Sequence, residues 1–483
     1  MPDTGLTVRW SCGTLLLIAS ACTTATSITR AGTSSGSLPP SALSARQAAF
    51  VDSLERSTFS WFWERSDPES GLTPDRWPTK SFSSVAAIGF ALTAYPIGVE
   101  RGYVSRAAAA ERALNTLRFM YNAPQGPQPT NVSGYKGFFY HFLDMQTGYR
   151  FEQVELSTID SSLLLAGVLF CQSYFTDAGQ TESAIRAYAD SLYLRVDWQS
   201  FRPHAPLVTM GWRPESGFID ADWQGLNEGM ILYVLALGSP THSIDPAAWT
   251  EWTRTYNWAE FYGQQQLNFW PLFGHQYSQI WIDYRGIQDA FMRGKGIDYF
   301  ENSRRSTYSQ RAYAIDNPNQ WKDYGPNIWG LTAGDGPADT TLVIGGRRRQ
   351  FYSYTNRGAA AGKILDDGTL GPTALAGSIP FAPEITIPAL IAMREKYGAS
   401  LYGPYGFFDS INPTWNTDVK PRYGHVVRGI GWVADDYLGI DQGPIIAMIE
   451  NYRTGLIWKT MRQNPYIVAG LKKAGFTGGW LGQ

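Results

Sequence analysis

The chain has 483 residues, 44% of them hydrophobic, enough for a large core in one big domain or two. Its formal net charge of -2 gives no footprint for nucleic acid, and the basic runs Arg347 to Arg349 and Arg304-Arg305 read as solvated loop charges. Aromatic content is the outlier, with 18 Trp, 27 Tyr and 24 Phe. Many stand beside Gly, Pro, Asp and Asn, as in "GWRPESGF", "ADWQG", "NIWGLTAGDGP" and "GPYGFFDSINP". Aromatics on such loops either pin the loops to the core or stack against sugar rings.

The first residues read as an export signal. Arg9 precedes the apolar stretch "GTLLLIASAC", which is too short for a permanent membrane helix. Ala19-Ser20-Ala21-Cys22 resembles a bacterial lipobox, and Thr23 follows the cysteine. The next stretch, "TTATSITRAGTSSGSLPPS", is a polar tether. The expected organisation is a signal over 1–22, a tether over 23–43 and one catalytic domain over 44–483. A plain cleaved signal is the alternative. The third cysteine, Cys171 in "LLLAGVLFCQSYF", reads as a small buried apolar residue.

Beyond the tether, apolar residues recur at spacings of three and four. The spacing predicts helices over 44–64, 81–98, 104–121, 157–176, 180–196, 225–237, 246–262, 278–293, 306–314, 355–363, 384–397, 444–452 and 464–474. Long loops fall at 122–155, 198–224, 315–354 and 398–443. Strand-like runs are few and short. About a dozen helices joined alternately by short turns and long loops predict an all-α (α/α)6 barrel, with the long loops lining a cavity at one rim. No 34-residue or 40-residue repeat supports a helical solenoid.

Five histidines, His141, His204, His242, His275 and His425, show no ligand spacing, so no metal site or cofactor is expected. The match Gly32-Thr33-Ser34-Ser35-Gly36 lies in the tether and is no nucleophile elbow. Carboxylates at helix mouths remain. In "EQVELSTIDSSLLLAG", Ser157 and Asp160 have capping-box spacing, which leaves Glu155 free for chemistry. In "LNEGMILYVLALGSP", Asn227 can cap a helix whose first turn holds Glu228. The helix dipole lowers the pKa of such a carboxyl, whereas burial beside Trp223 raises it. Glu384 precedes a helix that Pro388 can begin. Asp441 and Gln442 lie just outside one that Pro444 can begin. Each can cap a helix or bind sugar hydroxyls. Asp335, in "TAGDGP", is a turn residue by composition.

Taken together, "GLTPDRW", "VELSTIDSSLLLAGVLF", "GFIDADWQGLNEGMILYVLALGSPTH", "NIWGLTAGDGP", "APEITIPALIAM" and "YLGIDQGPIIAMIENYRTGLIWK" resemble the glucoamylase-like domain of bacterial glycoside hydrolase family 144, the β-1,2-glucanases. The stretches span most of residues 45–475. The resemblance implies an (α/α)6 barrel, a β-1,2-linked glucan substrate, metal independence and an inverting mechanism. It points to Glu228 as general acid, with Glu155 and Asp160 as candidate bases. Expected substrate contacts are Asp75, Arg76, Trp212, Trp223, Asp335, Glu384, Tyr405, Asp441 and Gln442. Alternatives are a transglycosylase, a hydrolase of cyclic or substituted β-1,2-glucan, and a non-catalytic surface lipoprotein that binds glycans.

The expected form is a monomer in the periplasm or outer membrane of a Gram-negative bacterium, touching membrane only through a lipid on Cys22. Replacing Cys22 with Ser should release the protein from the membrane fraction or block its maturation. Unchanged fractionation would leave a plain secreted protein.

Overall fold

The computed structural model describes residues 39–482. The signal, the lipobox cysteine and most of the tether lie outside them. Among the described residues fifteen α-helices account for nearly all regular structure longer than five residues. None is long and apolar enough to cross a membrane.

Burial sorts the helices into two rings. Six are buried all round: α2 (Val85–Glu100), α4 (Thr158–Tyr174), α6 (Met230–Gly238), α8 (Tyr277–Trp281), α11 (Pro372–Ala376) and α13 (Gly439–Arg453). A helix apolar on every face must have neighbours on every face. They alternate along the chain with helices that bury one face and expose another. These are α1 (Ala45–Arg65), α3 (Arg106–Asn122), α5 (Gln180–Leu194), α7 (Ala247–Thr253), α10 (Tyr299–Asp316) and α12 (Pro383–Tyr397). Within the inner ring α2 packs on α4 and α13, α4 on α6, α6 on α8, and α13 on α8 and α11. Six inner staves inside six outer ones make the (α/α)6 barrel. Three further helices, α9 (Ala290–Lys295), α14 (Leu456–Met461) and α15 (Pro465–Lys473), complete the set.

Small residues let the staves approach. A Cβ on Gly167 of α4 would lie 2.1 Å from the Gly89 carbonyl oxygen of α2, and one on Gly443 of α13 would lie 2.0 Å from the Phe90 ring. Two inner staves carry proline past their first turn, and each freed carbonyl finds a partner. Pro96 removes the donor for Leu92, whose oxygen takes the Cys171 thiol at 3.1 Å instead. Pro444 removes the donor for Ile440, whose oxygen takes the Tyr277 hydroxyl at 3.3 Å.

Several expected elements differ. Pro383 opens α12 and Pro388 lies inside it; α13 begins at Gly439, so Asp441 and Gln442 are helical. The expected helix over 246–262 stops at Thr253 and gives way to a hairpin, Trp258–Phe261 with Gln264–Leu267. Its two-residue turn has both residues at positive φ, Tyr262 at 47° and Gly263 at 76°, as a tight hairpin requires. The stretch 278–293 is interrupted between α8 and α9. The stretch 355–363 is strand and turn, because Ala359 N–H pairs with the Trp270 carbonyl and Gly358 has no room for a Cβ. The basic runs are not merely solvated either. Arg349 stacks on Trp321 at 4.2 Å, and Arg304 pairs with Glu384 at 2.7 Å.

Overpacking a filled core costs about 1–3 kcal/mol. Gly167→Ala should therefore lower stability by roughly that amount without changing the fold. The urea midpoint and far-ultraviolet circular dichroism of variant and parent check this.

Candidate active site

The first residues of the inner staves meet at one mouth. A cavity of about 390 Å³ there is lined by Ile159 and Asp160 of α4, Glu228 ahead of α6, Tyr277 of α8 and Ile440 of α13. His141, which also lines it, accepts the Val85 N–H of α2 through its carbonyl at 3.2 Å. The start of α11 is tied in by Thr373, whose hydroxyl donates to the Asp441 carbonyl. The predicted loops 122–155 and 315–354 supply walls of this cavity through His141 and Ala333, and loop 198–224 lines an adjoining one through Trp223.

Glu228 lies in the turn before α6, not in its first turn. Asn227 caps that turn, its side-chain oxygen accepting from Gly229 N–H at 2.8 Å. The helix itself has no side-chain cap of its own. Ser278 of α8 substitutes: its hydroxyl accepts from Ile231 N–H at 2.9 Å and donates to the Glu228 carbonyl at 2.8 Å. Glu228 is thus held by the neighbouring stave. Burial pushes its carboxyl up to about 7, against a backbone hydrogen bond that lowers it and with help from the Asp160 charge. Desolvation outweighs the helix terminus.

Asp160 shares this cavity. Ser157 caps α4 by accepting from Asp160 N–H at 3.2 Å and donates its own hydroxyl to the Asp160 carboxylate. The other carboxylate oxygen faces His141 Nε2 at 3.5 Å. Capping therefore does not consume Asp160. Glu155 is the residue consumed. One of its oxygens pairs with His141 Nδ1 at 2.9 Å and the other with Arg213 at 3.3 Å. The hydrogen bond from His141 holds the Glu155 carboxyl down at about 2. Burial lowers the pKa of His141, but Asp160, Glu155 and Asp75 outweigh it and raise the imidazole to about 9. Glu155 does not line the cavity. It orients a cationic imidazole that does.

Asp75 and Arg76 also stand in the cavity wall. Burial raises the pKa of Asp75. Arg76 reaches Asp335 at 2.8 Å and Asp75 at 3.3 Å. Behind them Asp335 N–H donates to Asp409 at 2.6 Å, and Asp409 and Asp441 hydrogen-bond each other. Burial raises the pKa of both of these carboxyls. Asp335 and Asp441 are buried supports of Arg76 and the mouth, rather than exposed contacts.

Other expected contacts lie elsewhere. Gln442 is fully buried and donates to the Phe407 carbonyl. Glu384 joins outer helices α10 and α12 through Arg304 and Tyr308. Trp212 packs at a tilt against Tyr135, with ring centres 5.1 Å apart. Tyr405 is buried, with its hydroxyl on Glu64 and its ring against Trp77. Trp223 lines an adjoining cavity of about 830 Å³ that shares Glu228, Phe273 and Asn356 with the first. Most aromatics in the quoted loops, Trp329 and Phe407 among them, pin loops to the core.

The structure adds His141, Phe273, Tyr354 and Asn356 to the lining. Tyr354 is 49% exposed although it faces the cavity. None of these residues lies on an amphipathic helix, so periodicity has no hold on them. Asn356 was hidden in a stretch that reads as helix. The one available cue was the aromatic setting of His141 in "GFFYHFLD". Among the described residues, no group of three or more His, Cys, Asp or Glu is arranged to hold a metal.

Fold and cleft define a class: an (α/α)6 barrel with an acidic cleft at the mouth of its inner helices. A family model described as "Putative glucoamylase" matches residues 220–465. A crystal structure of a "putative glucoamylase" from Bacteroides uniformis is 32% identical, with a TM-score of 0.76, covering 91% of this chain and 99% of that one. An endo-β-1,2-glucanase from Chitinophaga pinensis, in complex with sophorotriose and glucose, is 28% identical with a TM-score of 0.75, over 90% and 99%. The exo β-1,2-glucooligosaccharide sophorohydrolase (non-reducing end) of Parabacteroides distasonis is 27% identical over 457 residues. That match takes in 88% of this chain and 57% of the relative, so the chain spans little more than half of that protein's length. The chain belongs to the glucoamylase-like family.

The His141–Glu155 pair carries a pH signature. Glu155, with its lowered pKa, stabilises the fold above about 4.5 and loses that contribution as pH falls through about 2. His141, with its raised pKa, contributes fully below about 6.5 and loses it as pH rises through about 9. Glu155→Gln should therefore be most destabilising between about pH 4.5 and 6.5, with the gap closing on either side. Chemical unfolding midpoints across that range check it.

Proposed function

We propose that this chain is a glycoside hydrolase that cleaves β-1,2-linked glucan to sophoro-oligosaccharides with inversion. Glu228 is the general acid and Asp160 the carboxylate that activates water. The observation that carries the reading is that half-buried Glu228 and Asp160, which no cap consumes, share one sugar-sized cavity, and desolvation there raises the Glu228 carboxyl to about 7. Hydrolysis of a glycosidic bond needs that division of labour, one group protonated and one charged. The names of the relatives, β-1,2-glucan hydrolases of both endo and exo type, support the substrate.

The chemistry follows from the surroundings. Glu228 donates its proton to the leaving oxygen as the glycosidic bond breaks. Asp160 takes a proton from the water that attacks the opposite face. His141, whose pKa Asp160 and Glu155 raise to about 9, is oriented by Glu155 and lies 3.5 Å from Asp160. Arg76, fixed by Asp335, and Asp75 offer a donor and an acceptor for sugar hydroxyls. The reading includes a monomer anchored in a Gram-negative envelope through Cys22, which rests on residues 9–22 alone.

Glu228→Gln keeps the size of the side chain and removes the donated proton. General acid–base catalysis is worth about 10²–10⁴-fold, so turnover on β-1,2-glucan should fall at least that far while binding survives. Near-parent turnover would refute the assignment. Because Glu228 must be protonated, kcat/KM should decline as pH rises through about 7. A flat profile between pH 6 and 9 would point to another acid.

A further inference from the structure

Outside the cleft, the run Arg347-Arg348-Arg349 lies on a surface hairpin, Thr340–Ile344 with Arg347–Phe351. Gly345 and Gly346 close it at φ 60° and 75°. Strand alternation puts Arg347 and Arg349 on one face, opposite Ile344 and Leu342. Leu342 and Ile344 pack against the cluster of Trp321, Phe351, Trp415 and Trp432. All three arginines line one cavity of about 610 Å³. That cavity shares no lining residue with the two that meet at Glu228.

The charge of this wall is one-sided. Among the described residues none of the three arginines forms an ion pair. Arg347 and Arg348 are exposed, whereas Arg349 is buried. Its terminal nitrogens donate to the carbonyls of Asn319 and Gln320 at 3.1 and 3.0 Å, and its guanidinium covers the Trp321 ring. Carbonyls and a ring orient a guanidinium without neutralising it. Its Nε and the Trp321 indole N–H are buried donors with no acceptor among the described residues. Burial, and then the charge of Arg347, lower the Arg349 pKa, and Asp366 opposes them. Asp366 is the one carboxylate in the wall, and it is already engaged. The hydroxyls of Tyr313 and Tyr324 donate to it at 2.8 Å, and the Gly368 N–H at 2.9 Å.

We infer that the hairpin cavity is a binding site for a phosphate-type oxyanion, gripped by Arg347 and Arg348 beside the fixed charge of Arg349. Guanidinium forks match the oxygens of such a group in pairs. The volume lies in the range of small-molecule sites, about 300–1,000 Å³, and is far larger than a bare ion. Asn319, Gln350 and Tyr352 add neutral polar groups beside the arginines. The site therefore favours an oxyanion carried on a small polar body, a sugar phosphate, over the free ion. It is separate from the cleft, and the hydrolase reading does not depend on it.

Isothermal calorimetry on the full chain at low ionic strength tests this with three probes: inorganic phosphate, glucose 6-phosphate and glucose. Glucose 6-phosphate should bind saturably at one site, more tightly than inorganic phosphate, and added glucose should not displace it. Equal affinity for phosphate and the ester would keep the oxyanion site and assign it to the free ion. Hydrogen bonds between charged groups are the strong ones, so Arg347→Gln with Arg348→Gln should weaken binding about ten-fold or more. Lys at both positions keeps the charge without the fork and should restore part of the loss. Arg118→Gln with Lys472→Gln removes two exposed charges from α3 and α15 and should leave binding unchanged. Equal weakening in both Gln pairs would reduce the effect to bulk electrostatics and overturn the inference. Displacement by glucose would place the ligand in the cleft and overturn it too, as would the absence of saturable binding. Thermal midpoints of the variants separate loss of binding from loss of folding.

Discussion

Closing six inner staves into one ring brings their unpaired backbone N–H groups to a single mouth. Those groups must be satisfied, and the ways in which they are satisfied shape the site. Ser84 and Ser157 cap their own helices. Ser278 caps the stave beside it and, by the same hydroxyl, pins the carbonyl of Glu228. A mouth of helix termini attracts carboxylates. It holds Asp75, Asp160 and Glu228 in its wall, with Asp441 in the first turn of α13 behind. The same geometry would keep all of them ionised if solvent reached them equally. Solvent does not reach them equally: burial raises the carboxyls of Asp75 and Asp441, and that of Glu228 to about 7.

The cations make the second contribution. Arg76 and His141 both line the cavity, and each is held by a carboxylate that does not itself line it. Asp335 anchors Arg76, and Glu155 anchors His141. An anchored cation keeps its direction when a neutral sugar enters, so its hydrogen-bonding capacity is available without reorganisation.

How much of this the amino-acid sequence discloses depends on distance along the chain. Local signals are legible: Ser44 and Ser157 mark the starts of α1 and α4, and Glu228 stands out as a carboxyl beside a wholly apolar helix. Long-range satisfaction is not. Glu155 looks free in sequence because Arg213, which engages it, lies 58 residues away. The cap of α6 comes from a residue 47 positions downstream. Pro388 and Pro444 look like helix starts because the partners that let a helix tolerate proline come from other elements, as Tyr277 does for Pro444. Tyr354 falls in an irregular loop and Asn356 in a short strand whose spacing reads as helix, so no pattern places either in the cleft.

The thiol that completes α2 at its proline has a consequence outside chemistry at the mouth. Cys171 is wholly buried, donates to Leu92, and burial drives its pKa far above the usual thiol range. While α2 and α4 stay together, the sulfur is neither a nucleophile nor reachable. A thiol-reactive dye arriving at that one atom would therefore count barrel openings. Its labelling rate would be a clock for the breathing of the two most closely packed staves, set into the molecule by a helix-breaking residue on one and a cysteine on the other.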